Sequence, residues 1–216
     1  MHKSLDLTKE NRYWTRYYSR NSMPFPPSPF AYTVLPYLFE GQFLCELGCG
    51  NGRDSVFFAK HKIRVDAFDL VKDEIDFLQE NYSSEYLNFS YGDFSKMPSD
   101  PLKYDAIYSR FTIHSISEEM ENSVLEWAFG SLRKSGYLFV ESRSINDPLL
   151  NEGTKLGHNE NFTDHYRRYM DKEVFCEKLK KIGFRVILAE ESDTFAVTKT
   201  ESPVIDRVIA TISSLN

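Results

Sequence analysis

Phe43-Leu44-Cys45-Glu46-Leu47-Gly48-Cys49-Gly50-Asn51-Gly52-Arg53-Asp54 is an apolar run that breaks into three alternate glycines and then into a segment able to start a helix. The pattern predicts a strand, a glycine loop and a helix in direct succession. Glycine has no Cβ and adopts positive φ without strain, so such a loop lets backbone N–H groups approach a small molecule that a side chain would hold away. The dinucleotide fingerprint G-x-G-x-x-G would need a third glycine where this chain has Arg53. A plain tight turn remains open for an isolated glycine run, and the flanking chain has to decide.

Downstream, residues 54–60 read as a short helix and residues 63–68 alternate as a strand ending in Asp69. Residues 72–80 have helical spacing, and residues 87–91 form a strand closed by Gly92-Asp93-Phe94. Residues 104–109 read as a fourth strand. Residues 118–134 read as a long helix with Val124, Leu125, Ala128, Phe129 and Leu132 on one stripe, and residues 137–141 as a fifth strand after Gly136. Strand and helix alternation of this kind predicts a parallel sheet with helices on both faces. Residues 172–182 read as a helix stopped by Gly183, residues 184–190 and 194–199 as a hairpin, and the stretch opened by Pro203 as a final helix. Two segments break the rhythm. The first forty residues carry Tyr13, Trp14, Tyr17, Tyr18, Phe25, Phe30 and Tyr32 around Pro24-Phe25-Pro26-Pro27-Ser28-Pro29, too proline-rich for a strand or a long helix. Residues 142–170 form a long link of the sort that tends to carry function.

A chain of 216 residues can bury one sizeable core, which predicts a single domain. Its net charge of −6 argues against general affinity for nucleic acid or an anionic membrane. No apolar leader or membrane-length stretch is evident, so the expectation is a cytoplasmic protein. Cys45, Cys49 and Cys176 are odd in number and lack C-x-x-C spacing, which indicates neither a disulfide framework nor a metal site. Cys45 and Cys49 read as small hydrophobes beside the loop.

From residue 43 to 199, the G-x-G-x-G loop preceded by Glu46, the acid Asp69 and the pair Asp93-Phe94 resemble the class I S-adenosylmethionine (SAM) dependent methyltransferases. The resemblance implies a Rossmann-like α/β fold: a seven-stranded, mostly parallel sheet ending in an antiparallel hairpin. It implies SAM as cofactor and S-adenosylhomocysteine as product, and an acid suits the amino group and sulfonium of that donor. Carried over, Glu46, Gly48 and Gly50 would line its methionine half, Asp69 would accept the ribose hydroxyls, and Asp93 and Phe94 would flank the adenine. Cys49, Arg53, Leu70 and Ser109 would complete the donor site. Asp69 and Asp93 could equally be turn or cap acids, common at strand ends. Residues 1–40 would be a lid bearing Trp14 and Tyr18, with residues 41–216 the SAM-binding domain; an aromatic stripe that simply packs in the core is the competing reading.

At the fourth-strand position, Tyr108-Ser109-Arg110-Phe111 lacks the Asn/Asp-Pro-Pro-Tyr/Phe motif of relatives that methylate adenine or glutamine, which disfavours nucleic acid as acceptor. Arg12-Tyr13-Trp14-x-x-Tyr17-Tyr18, Pro27-Ser28-Pro29-Phe30-Ala31, Ser109-Arg110-Phe111-x-x-His114 and Thr163-Asp164-His165-Tyr166-Arg167-Arg168 look similar to small bacterial methyltransferases of capsule and lipopolysaccharide gene clusters. Those relatives place a glycine between the Asp and His of the last motif, and this chain has none. The likeness implies O-methylation of a phosphate or phosphoramidate oxygen, or of a sugar hydroxyl, on a small or nucleotide-activated glycan precursor. A phosphate oxygen is already anionic and needs cations, above all arginine, whereas a hydroxyl profits from a base such as histidine. Arg110 and His114 are the candidate catalytic residues; Arg143, His165, Arg167, Arg168 and Phe30 are the candidate acceptor residues. Arg167 and Arg168 could also be a solvated surface pair. Detoxifying methylation of a thiol or metalloid, and a non-catalytic SAM-binding scaffold, are the alternatives.

Overall fold

The computed structural model describes residues 7–20, 23–98, 101, 103–198 and 201–213. Two helices, α1 (Leu7–Tyr18) and α2 (Pro29–Val34), precede the sheet, whose first half is β1 (Phe43–Leu47), α3 (Arg53–Lys60), β2 (Arg64–Asp69), α4 (Lys72–Tyr82), β3 (Leu87–Tyr91) and β4 (Tyr104–Arg110). The chain continues through α5 (Glu118–Ser131), β5 (Leu132–Arg143), the short strands β6 (Thr154–Gly157), β7 (Glu160–Phe162) and β8 (Tyr166–Arg168), then α6 (Lys172–Ile182), β9 (Phe184–Ser192) and β10 (Ile205–Ile212).

Seven strands form one sheet in the order β3-β2-β1-β4-β5-β10-β9. The first five run parallel, while β10 pairs antiparallel with both β5 and β9. Strand order reverses between β2–β1 and β4, the switch point at which an open sheet leaves a crevice beyond its carboxyl ends. β1 is an interior strand beside the central β4, so its side chains serve both layers. Leu44 packs with Phe30, Val34, Phe58, Ile75, Leu78 and Phe89 beneath α2, α3 and α4. Cys45 and Leu47 pack with Val124, Leu125, Phe175 and Leu179 beneath α5 and α6. The expected fold class, with helices on both faces, is the one observed.

The sheet's last third differs from the expected one. Residues 193–198 form a turn and an irregular stretch, and the segment read as a final helix from Pro203 is β10, the inner partner of the antiparallel pair. Every residue of β10 but the last is buried, so the segment shows no apolar–polar alternation, and Asp206 and Arg207 within it mimic a helical polar face. Lys199 and residues 214–216, the ends of those two expected elements, lie outside the described residues, as do residues 1–6 and 21–22 of the expected lid. α1 is a twelve-residue helix despite the proline run, because the prolines begin six residues after its end and cannot reach back to break it. The long helix stops at Ser131, and β5 begins at once, with Ser135 at φ 62°. Part of the link from 142 to 170 folds into a small antiparallel sheet, β6-β7-β8. No described helix is long and apolar enough to cross a membrane.

Asp206 is fully buried between Ser142 of β5 and Glu191 of β9, and neither carboxylate oxygen has a hydrogen-bond partner. Burial, aggravated by Glu191, pushes its carboxyl up to about 7. An acid whose folded pKa exceeds its ordinary value near ~4 stabilises the fold while protonated, and that contribution is lost as pH rises from ~4 through the raised pKa. Asp206→Asn should therefore match the wild type near pH 4–5 and surpass it at pH 8. At roughly 2–4 °C per kcal/mol for a chain of this size, melting curves should show the gap widen by about 5 °C; a gap that is constant with pH would refute this account.

Candidate active site

The carboxyl end of β1 runs into the glycine loop, and two of its glycines have specific neighbours. Gly48 sits at φ 70° with the Thr112 methyl where a Cβ would project. Gly50 sits at φ 55° with the Tyr18 hydroxyl in the corresponding place. The loop's N–H groups are oriented from the next strand: Cys49 N–H donates to the Phe68 carbonyl at 2.9 Å and Gly50 N–H to Asp69 Oδ2 at 2.9 Å. Asp69 Oδ1 accepts from Val71 N–H at 3.0 Å, so this one carboxylate shapes both the loop and the turn into α4. Burial raises the Asp69 pKa against the pull of these backbone donors. Glu46 is buried behind the loop, bonded by Ser55 Oγ; burial first, then Asp54, raises its pKa.

Asp54, at the start of α3, ties the N-terminal segment down: its carboxylate accepts Ser28 N–H at 2.8 Å, Ser28 Oγ at 2.7 Å and Tyr108 Oη at 2.8 Å. Asn51 Nδ2 donates to the Met23 carbonyl at 2.8 Å, and Arg53 Nη2 to that of Pro26 at 2.5 Å. Beyond β3, Asp93 caps a short 3-10 turn through Ser95 N–H at 3.0 Å and Ser95 Oγ at 2.6 Å. Burial would raise its pKa, but Ser95 and Lys96 hold it low. The cap reading of Asp93 is thus correct as far as Oδ1 goes, while the residue still faces the cavity.

At the end of β4, Phe111 takes φ 54°, an unusual conformation for a residue with a side chain, held by its N–H donating to the Glu141 carbonyl at 2.9 Å. The turn projects Thr112 over Gly48 and carries His114 into the cavity. Arg110 pairs with Glu141 at 2.8 Å; burial would lower its pKa, but Glu141 outweighs that and raises it. Arg143, at the end of β5, pairs with Asp147 at 2.8 Å and Glu201 at 2.5 Å. Arg167 of β8 pairs with Asp164 at 2.7 Å. His114 and His165 are both buried, their rings 6.3 Å apart; neither His114 ring nitrogen has a hydrogen-bond partner, while His165 Nδ1 lies 3.1 Å from Asp164 Oδ1. Burial, then the other imidazole and the nearby arginines, lowers the His114 pKa well below its ordinary value. Burial and Arg167 bring that of His165 down to about 3. Both rings are therefore neutral at pH 7, each offering one donor and one acceptor.

A cavity of about 440 Å³ joins these groups. Of the residues expected from sequence, Trp14, Tyr18, Glu46, Gly48, Cys49, Gly50, Arg53, Asp69, Leu70, Asp93, Phe94, Arg110, His114, Arg143, His165 and Arg167 line it. Three do not. Phe30 is wholly buried with its ring stacked 5.2 Å from that of Tyr108. Ser109 lies behind Thr112, their hydroxyls 2.5 Å apart. Arg168 turns away to a buried ion pair with Glu121. Sequence reasoning missed Tyr13, Phe25, Asn51, Thr112 and Glu201 as lining groups. The aromatic stripe around Trp14 was a usable signal for Tyr13; nothing local marked Glu201.

Residues 44–136 match a family described as a methyltransferase domain. No curated protein sequence matches the chain. Among solved structures, an SAM-dependent methyltransferase from Methanosarcina mazei superposes with a TM-score of 0.71 at 14% identity, over 85% of this chain and 98% of that one. The Burkholderia thailandensis 1,6-didemethyltoxoflavin-N1-methyltransferase, solved with its substrate and S-adenosylhomocysteine, gives 0.68 at 17% identity over 86% and 77%. A TehB-like SAM-dependent methyltransferase from Corynebacterium glutamicum gives 0.65 at 18% over 96% and 99%. At these identities the likeness is one of fold.

Proposed function

We propose that this chain, an SAM-dependent methyltransferase, is an O-methyltransferase whose acceptor is a hydroxyl on a small anionic sugar, of the kind a surface-polysaccharide precursor presents. The residues present fit the donor: glycines at Gly48 and Gly50 where a Cβ would meet a neighbour, and the carboxylates of Glu46, Asp69 and Asp93 spaced along one wall. When bound, SAM would supply a methyl carbon activated by its sulfonium. The observation that carries the acceptor reading is the buried, neutral imidazole of His114, neither of whose ring nitrogens has a partner, facing the cavity beside His165. A neutral imidazole there can take the proton of a hydroxyl as its oxygen bonds to the methyl carbon and the carbon–sulfur bond breaks. Arg143 and Arg167 keep further N–H groups for an anionic substituent, each guanidinium already oriented by a carboxylate. Positioning of the oxygen in line with the departing sulfur supplies much of the rate.

One observation favours a second reading. Arg143 and Arg167, which both line the cavity beside His114, would equally hold a phosphate or phosphoramidate oxygen, which needs no base. Calorimetry with SAM and S-adenosylhomocysteine comes first, followed by turnover against nucleotide-activated sugars, phosphoramidates and thiols. With a hydroxyl acceptor, His114→Ala should lower turnover by roughly 10²–10⁴-fold while leaving donor affinity nearly unchanged. Because the lowered His114 pKa keeps the ring neutral at ordinary pH, the rate should be flat from about pH 6 to 8 and fall only in acid. Turnover of a phosphoramidate that tolerates His114→Ala would favour the second reading. Failure of either nucleoside to bind at millimolar concentration would end both, and tight binding without turnover would leave a scaffold.

A further inference from the structure

α1 reaches over both halves of the cavity. At its C-terminal end Tyr18 lies on Gly50 of the donor loop, and Trp14 stacks on Tyr18 with ring centroids 6.0 Å apart. One residue before Trp14, and about 100° round the helix from it, the Tyr13 ring lies 4.4 Å from that of His165, and the Trp14 ring lies 4.9 Å from the same imidazole. The Tyr13 hydroxyl donates to Asp164 Oδ2 at 2.8 Å, a contact between residues 151 apart in the chain. Asp164 Oδ1 in turn accepts from His165 N–H at 3.1 Å, Thr163 Oγ1 at 2.8 Å and Arg167 Nη1 at 2.7 Å. Its side chain is half exposed and is not part of the cavity wall.

We propose that Tyr13 and Asp164 are positioning residues that seat the His165 imidazole only while α1 rests on the donor loop, so that donor occupancy and acceptor-site geometry are coupled. This rests on the reading of the cavity as a SAM site with its acceptor end at His165. A helix is rigid over the distance between Tyr13 and Tyr18, so a shift of Tyr18 on the loop as the donor enters moves Tyr13 as well. The His165 ring is oriented by its packing on Tyr13 and by the 3.1 Å approach of Nδ1 to Asp164 Oδ1. Coupling between two binding sites is reciprocal, so a latch that donor binding strengthens must in turn favour donor binding, and weakening it should weaken the donor.

The test uses S-adenosylhomocysteine alone. Asp164→Asn changes a residue outside the cavity wall and Tyr13→Phe keeps its ring, yet each should weaken binding by about fivefold, the low end of measured couplings. The double variant should bind no more weakly than Asp164→Asn alone, because the Tyr13–Asp164 hydrogen bond is already weakened there. In protein labelled with ¹⁵N-histidine, S-adenosylhomocysteine should shift the His165 imidazole signals of the wild type and leave those of the double variant unmoved. Unchanged affinity in both single variants, or losses that multiply in the double variant, would overturn the coupling, as would a His165 signal indifferent to ligand in the wild type. If the wild type fails to bind S-adenosylhomocysteine at all, it is the donor reading that falls.

Discussion

S-Adenosylhomocysteine should bind Asp69→Ala about 100-fold more weakly than the wild type. The carboxylate takes the Gly50 N–H on one oxygen and the Val71 N–H on the other, at 2.9 and 3.0 Å, and it faces the cavity besides. Hydrogen bonds to a charged group contribute about 1.5–3 kcal/mol each, and every ~1.4 kcal/mol is tenfold in affinity. Loss of the two bonds that hold the loop's shape, together with any made to the ligand, amounts to at least two decades. Asp69→Asn should fall between, since its carbonyl can satisfy one backbone donor while its NH₂ group must oppose the other. The sheet itself does not depend on this contact, so circular dichroism should be retained in both variants. Calorimetry showing Asp69→Ala within fivefold of the wild type would remove Asp69 from the donor site.

The part of this cavity proposed to hold the donor was readable because a parallel sheet converts sequence into place: every strand's last residues arrive at one edge. Gly48, Asp69, Asp93 and Arg110 each follow an apolar run, and that alone brings them together. The acceptor half depends on contacts the chain does not advertise. Glu201, which pairs with Arg143 58 residues away, lies in an irregular stretch between two strands, and Tyr13 meets Asp164 from the opposite end of the chain. Phe30 looked like an acceptor residue from its place in an aromatic and proline-rich segment, but Asp54 anchors Ser28 so that α2 drives Phe30 into the core. β10 was misread as a helix because a strand buried on both faces has no period to read. The same lesson separates Arg167 from Arg168. In β8 successive side chains point to opposite faces, so one arginine reaches the cavity and its neighbour cannot. Reading the segment as an unstructured link hid that alternation.

Arg168→Ala should consequently behave as a stability variant and not as an acceptor variant. Its guanidinium pairs with Glu121 of α5, and its Nε–H donates to the Ile116 carbonyl at 3.2 Å. Both side chains are over nine-tenths buried, and Lys178 of α6 reaches the same carboxylate at 2.5 Å. Arg168 thereby fastens the small sheet to the α5 and α6 layer of the main one. Removing one partner of a buried pair costs about 3–5 kcal/mol when the other charge is left alone; Glu121 keeps Lys178, so the cost is nearer the lower end and predicts a Tm lower by roughly 5–10 °C. Arg168→Met combined with Glu121→Leu should regain most of that loss, because apolar groups of similar volume can replace a buried ion pair and Lys178 keeps Glu118 at 3.3 Å. Arg167→Ala supplies the contrast: its partner Asp164 is half exposed, so Tm should move by no more than about 2 °C, the effect of a surface pair. A Tm for Arg168→Ala within 2 °C of the wild type would show that the pair with Glu121 does not hold the sheet, and would return Arg168 to the acceptor site.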